Sequence, residues 1–177
     1  MKLHLGCGKR YLPGWTHIDL AEFPHIDYRQ PIEDLSNFET GSVEQIYACH
    51  CLEHFGRHKV QAVLNEWARV TKPGGVIHLA VPNMEAVVAH YAEHADLPVL
   101  LGFLVGGQND DYDYHYCCFD FKFLKGLLEN AGFVSVEKYD WSEFLPEGFD
   151  DYSRAYLPHM EFQNGTLMSL NVTARKA

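Results

Sequence analysis

Positive charge is scarce in this chain. Its 177 residues carry 14 Lys and Arg against 24 Asp and Glu, a formal net charge of −10. No block of Lys or Arg occurs, and a grip on DNA or RNA needs clustered cations to displace phosphate counterions. The same shortage argues against an anionic membrane surface. Long apolar runs are also missing. The best candidate, around Leu97–Val105, contains Pro98 and Gly102 and falls short of the roughly 20 residues of a membrane span. The opening Met1-Lys2-Leu3-His4-Leu5-Gly6 lacks the apolar stretch of a secretion signal. Cysteines number five, at irregular spacing (Cys7, Cys49, Cys51, Cys117, Cys118). That odd count is a poor disulfide framework and suggests reduced thiols in a cytoplasmic protein. Internal repeats and low-complexity tracts are absent as well.

What is present is apolar and aromatic: 47% of residues are hydrophobic and 14% are Phe, Trp or Tyr. A chain of this length buries roughly 70% of its unfolded surface, so a single domain over residues 1–177 is expected. Short β-branched stretches recur early, at Lys2–Leu5, Thr16–Leu20, His25–Tyr28, Glu44–Cys49 and Val76–Val81. Each is bounded by Gly, Pro or polar residues, as buried strands are. Val60, Val63, Leu64 and Trp67 share one helical face, which Lys72-Pro73-Gly74-Gly75 ends. A second helix is expected after the N-cap Asn83, with Met84, Val87, Val88, Tyr91 and Ala95 on one face. A third should run from Asp120 through Leu124, Leu127, Leu128 and Ala131 to a Gly132 cap. Late strands are expected at Val134–Tyr139 and Thr166–Thr173. Alternating strands and helices make an α/β, doubly wound, mostly parallel sheet. Two segments, near 97–118 and 141–163, read as irregular and lid-like. Asn164-Gly165, between Met160–Gln163 and Thr166–Met168, signals a type I′ hairpin, so part of the 141–163 segment should pair with the last strand.

Leu3-His4-Leu5-Gly6-Cys7-Gly8 is a strand entering a Gly-x-Gly turn, where the backbone must turn tightly and admit a ligand. Asp19 closes the next strand, a position from which a carboxylate can accept both hydroxyls of a ribose. A dinucleotide fingerprint would need a third Gly where Tyr11 stands, and an acidic residue roughly 20 positions on. Asp19 follows Gly8 by only eleven, and no Gly-Lys-Ser/Thr phosphate loop exists. The pattern fits an adenosine without a phosphate chain, as in S-adenosylmethionine.

Further stretches sharpen this. Val43-Glu44-Gln45-Ile46-Tyr47-Ala48-Cys49-His50-Cys51-Leu52-Glu53-His54-Phe55 resembles the fourth-strand motif of class I S-adenosylmethionine-dependent methyltransferases of the type 11 group. Glu66–Gly75 followed by Val76–Asn83 is similar to that family's helix, Lys-Pro-Gly-Gly turn and fifth strand, and Ala131-Gly132-Phe133 to its entry into the sixth. The resemblance implies a seven-stranded sheet whose last strand is antiparallel. It also implies that Gly6, Cys7 and Gly8 border the methionine end of the cofactor. Asp19 would bind the ribose, Leu20 would lie on the adenine, and Asp27 and Tyr28, closing the third strand, would reach the adenine amino group. Cys49 and His50 would line the cofactor near its sulfur. Three departures stand out: the chain begins directly on the first strand, the first crossover is only Lys9–Trp15, and His4 replaces the family's first-strand acid.

Methyl transfer to oxygen or nitrogen of a small acceptor then needs a base in some cases. His115 in the Tyr-rich loop is the first candidate, before His50 and His54; an exposed surface histidine is the competing reading of His115. Cys49-His50-Cys51-x-x-His54 invites a zinc reading, but strand alternation should turn His50 away from the two cysteines, so no metal is expected. Asp110-Asp111 and Asp150-Asp151 read as solvated loop charge. The expected partner is a small-molecule acceptor, with no nucleic acid and no membrane, and the open end of the first strand leaves room for a homodimer. The alternatives are a non-catalytic S-adenosylmethionine-binding regulator and, third, a nicotinamide oxidoreductase.

Overall fold

The computed structural model describes residues 1–177. Seven strands form one sheet: β1 (Lys2–Leu5), β2 (Thr16–Asp19), β3 (Tyr28–Arg29), β4 (Val43–Cys49), β5 (Thr71–Pro82), β6 (Phe133–Lys138) and, after the small β7 (Tyr156–Leu157) and β8 (Thr166–Leu167), β9 (Ser169–Lys176). Their order is β3-β2-β1-β4-β5-β9-β6. The first five run parallel, and β9 lies antiparallel between β5 and β6. The doubly wound sheet with an antiparallel last strand is therefore present.

Residue alternation gives the sheet two unlike faces. Leu3, Leu5, Ile18, Ile46, Ile77 and Leu79 point to the face covered by α1 (Val60–Val70) and α4 (Phe121–Asn130). Trp67 of α1 is fully buried there, and its Nε1 donates to the Ile32 carbonyl at 2.7 Å. On α4, Asp120 caps the N-terminus by accepting from the Phe123 amide, and Gly132 ends the turn at φ +88°.

The opposite face carries a row in one register: His17 on β2, His4 on β1, Tyr47 on β4 and His78 on β5. No long helix covers it. The shortened first crossover supplies Leu12 and Trp15, and the one-turn α5 (Trp141–Phe144) with Leu145 and Phe149 supplies the rest. Burial pushes the His4 imidazole down to about 3, with His17, His25 and Arg10 adding to the effect. Burial alone takes His78 down to about 4.

Several local expectations need correction. The third strand begins only at Tyr28, because Phe23–Ile26 close a turn (Ile26 amide to Phe23 carbonyl, 3.1 Å). Strand β5 starts at Thr71, where pairing with Val43 precedes a register shift. The Leu97–Val105 stretch is a helix, α3, that accommodates Pro98 in its first turn, where a missing amide proton costs nothing. Between them, α2 (Met84–His94) is capped by Asn83 as expected, but Val88 and Tyr91 are exposed and only Ala86 and Val87 are buried. Part of the 141–163 segment does pair with the start of the expected last strand, but as β7 with β8 rather than through Met160–Gln163. Neither Asn164 nor Gly165 has the positive φ of a type I′ turn. Glu161 organises that loop instead, its carboxylate accepting from the Gln163 and Asn164 amides. No helix is long and apolar enough to cross a membrane.

Candidate active site

The carboxyl ends of β1, β2 and β4 meet along one edge. Gly6 and Gly8 both have positive φ, +61° and +53°, the left-handed region that glycine enters without steric cost. Their surroundings differ. A β-carbon on Gly6 would collide with Cys51 Sγ, whereas one on Gly8 would meet nothing within 4 Å. Gly6 thus serves a close contact inside the protein, and Gly8 faces open space. The Gly8 amide donates to Asp19 Oδ2 and the Ala21 amide to Oδ1, each at 2.7 Å, which fixes the carboxylate at the end of β2. Leu20 beside it is 41% exposed. Cys7 is buried, and its thiol is pushed up to about 12 by burial and by Asp19.

At the end of β4, His50 leaves the strand at φ +50°. This breaks the alternation of the motif: Cys49 joins the aromatic layer while Cys51 packs into the helical core. The two thiols do not face one point. The Cys51 thiol donates to the Leu5 carbonyl at 3.4 Å. Next comes a 3₁₀ turn, Leu52–His54, which buries Glu53 completely. His50 Nδ1 is 3.2 Å and His115 Nε2 3.9 Å from Glu53 Oε1. The His54 and His115 rings stand edge to face, 4.9 Å apart. His115 belongs to the loop after α3, whose Tyr116 and Cys117 amides donate to the Glu53 carbonyl. Its side chain is 9% exposed, so the surface-histidine reading does not hold. Burial lowers the His115 pKa, against the raising influence of Glu53. Burial also pushes the Glu53 carboxyl up, but the neighbouring His50 and His54 outweigh it and leave the pKa below the usual glutamate value.

Known proteins share this architecture. Residues 3–79 match the model of the methyltransferase domain family. An S-adenosylmethionine-dependent methyltransferase from Archaeoglobus fulgidus superposes with a TM-score of 0.59 at 16% identity, over 99% of this chain and 85% of that one. One from Methanosarcina mazei gives 0.58 at 17%, over 99% and 91%. The Burkholderia thailandensis 1,6-didemethyltoxoflavin-N1-methyltransferase, with 1,6-didemethyltoxoflavin and S-adenosylhomocysteine bound, gives 0.57 at 15%, over 99% and 70%. No curated protein sequence matches the chain. The chain shares the fold of these S-adenosylmethionine-dependent methyltransferases, and its first half matches the methyltransferase domain model.

The residues at this edge fit S-adenosylmethionine. Gly8 leaves an unfilled space beside Asp19. Each Asp19 oxygen has spent one lone pair on an amide and keeps another for a ribose hydroxyl. Sequence and structure part company at Asp27. It lies before β3, level with His17, and its Oδ2 accepts from the His17 amide at 2.8 Å. It does not close the third strand. Tyr28, on β3, packs edge to face against Phe38 and is 41% exposed.

Two carboxylates to which the sequence assigns no role are central here. Glu53 is one. Asp151 is the other: it is 5% exposed, not solvated, and accepts from the Tyr47 hydroxyl and from the amide and hydroxyl of Ser153. From Ser153 the network continues through Asn171 to Ser169 and His50 Nε2. The available signal was position alone, an acid inside Leu52-Glu53-His54-Phe55 and another between aromatic residues.

Proposed function

We propose that the protein is a methyltransferase that moves the methyl group of S-adenosylmethionine to an oxygen or nitrogen of a small acceptor bound against His50, Glu53, His54 and His115. The observation that carries this reading is the position of His50. It follows the last residue of the strand that borders the cofactor edge and also lies 3.2 Å from Glu53. When bound, S-adenosylmethionine supplies a methyl group already activated on a sulfonium sulfur. The protein's work is then alignment and exclusion of water, for which effective-concentration gains of roughly 7–11 kcal/mol are available.

Asp19 holds the ribose, Gly6, Cys7 and Gly8 lie along the methionine end, and Leu20 covers the adenine. Cys49 and His50 form the wall near the sulfur. In the metal-free site, His115 is the base placed to take the acceptor's proton. Its Nδ1 lies 3.0 Å from the Phe103 carbonyl and donates to it, leaving an unprotonated Nε2 toward Glu53. The loop carrying His115 and the segment 141–163 close over the acceptor. The charge of −10 favours a neutral or cationic acceptor over a polyanion. The 1,6-didemethyltoxoflavin bound in the Burkholderia enzyme supports this choice of acceptor.

The test is a screen of small phenols, amines and sugars, read by release of S-adenosylhomocysteine. Turnover with at least one acceptor is expected. Tight cofactor binding without turnover on any acceptor would favour the regulatory alternative.

A further inference from the structure

Glu53 is an anomaly that methyl transfer alone does not explain. Its carboxylate is 0% exposed, and neither oxygen has a hydrogen-bond donor. His50 Nδ1 lies 3.2 Å from Oε1 without making a hydrogen bond to it. Burying a carboxylate without donors is expensive, and such groups are ordinarily paired or bound to a metal.

The two other histidines at Glu53 do not supply donors either. His54 Nδ1 lies 3.0 Å from the Tyr114 carbonyl, and His115 Nδ1 lies 3.0 Å from the Phe103 carbonyl. A carbonyl only accepts, so each Nδ1 carries the proton and each Nε2 is left with its lone pair. Handing one ring N–H to a backbone carbonyl is also how metal-ligating histidines are held. One ligand atom from each of Glu53, His54 and His115 falls within 4.8 Å of the others. Around a single ion with bonds of about 2.1 Å, neighbouring ligand atoms sit about 3.4 Å apart. The 3.9 Å between His115 Nε2 and Glu53 Oε1 is close to that spacing.

We propose that Glu53, His54 and His115 bind one divalent cation of the zinc class at the acceptor side of the cleft. Two imidazoles and one carboxylate suit a borderline metal, whereas magnesium and calcium prefer all-oxygen cages. Three protein ligands leave a coordination position open, and an acceptor oxygen there would be polarised and made easier to deprotonate. His50 stays outside the triad and steadies the carboxylate. This set differs from the Cys49-His50-Cys51-x-x-His54 pattern, whose thiols point to opposite faces. The inference rests on the proposed function for the location of the acceptor, and it turns His115 from proton acceptor into ligand.

Calorimetric titration of the chelator-treated full chain with Zn²⁺ tests the site. One ion per chain is expected, with a dissociation constant of about 1 μM or tighter and no competition from millimolar Mg²⁺. Glu53→Gln and His115→Ala should each weaken binding at least tenfold, with circular dichroism confirming that both fold. His54→Ala gives the same readout from a less buried position. Cys117→Ser should change nothing, and the Co²⁺-loaded protein should lack a thiolate charge-transfer band. Binding weaker than about 100 μM, equal binding in the Glu53 and His115 variants, or a thiolate band would overturn the proposal. Turnover is measured separately: zinc bound by the triad without methylation of any acceptor would sink the functional reading and leave this site standing.

Discussion

A carboxylate looks the same in a sequence whether water or protein surrounds it. That is why Asp19 was legible and Glu53 and Asp151 were not. Asp19 follows a glycine turn by a spacing with meaning, while Glu53 and Asp151 acquire theirs only when a 3₁₀ turn and a loop bury them. Asp27 was misplaced for another reason: the strand it was meant to close starts one residue later. At this scale the site makes two predictions. Asp19→Ala should weaken S-adenosylmethionine binding by roughly 10–100-fold, since it removes charge-assisted bonds worth about 1.5–3 kcal/mol; calorimetry reads it. Gly6→Ala should cost about 2–4 kcal/mol in urea unfolding, because it combines a left-handed φ with a β-carbon driven into Cys51 Sγ. Adding Cys51→Ala should relieve the clash but not the backbone strain.

Among the elements, those with a strong period were legible and those with breakers were not. Helices α1 and α4 show apolar stripes and the residues that end them. Helix α3 contains Pro98 and Gly102, which read as interruptions until the proline is seen in the first turn. Its apolar residues follow no single face, and Leu97, Val99, Leu101 and Val105 stay exposed. Glycine inside a helix with room for a methyl group is a stability reserve. At Gly126 in α4, no atom lies within 4 Å of where a β-carbon would stand, and φ is not positive. Gly126→Ala should therefore stabilise the protein by about 0.5–1 kcal/mol. An unchanged or lowered unfolding midpoint in urea would contradict the open space at that position.

For the whole molecule, the mostly parallel sheet was legible in the alternation of short apolar segments with helices, while its seven strands and antiparallel last strand came from the family resemblance. The covering of its second face did not follow, because an aromatic layer of short segments has no period to read. That layer buries His4 and partly buries His78, and the consequence is global. Both imidazoles are neutral in the folded state down to about 3 and about 4, while the unfolded chain takes up protons near pH ~6.5. Their contribution is present above that pH and is lost as the pH falls toward the folded values. Between pH 7 and pH 5 the loss is about 2 kcal/mol for His4, and somewhat less for the more exposed His78. Melting temperature should drop over that window, and His4→Phe should flatten the drop. The central claim, however, is that the edge formed by Gly6–Gly8 and Asp19 is an S-adenosylmethionine site. Its most direct test is calorimetric titration of the intact chain with S-adenosylmethionine, S-adenosylhomocysteine and NAD, alongside Asp19→Ala. One site is expected for the first two ligands, weakened in the variant, and no heat with NAD; absence of S-adenosylmethionine binding, or equal binding of NAD, would contradict the claim.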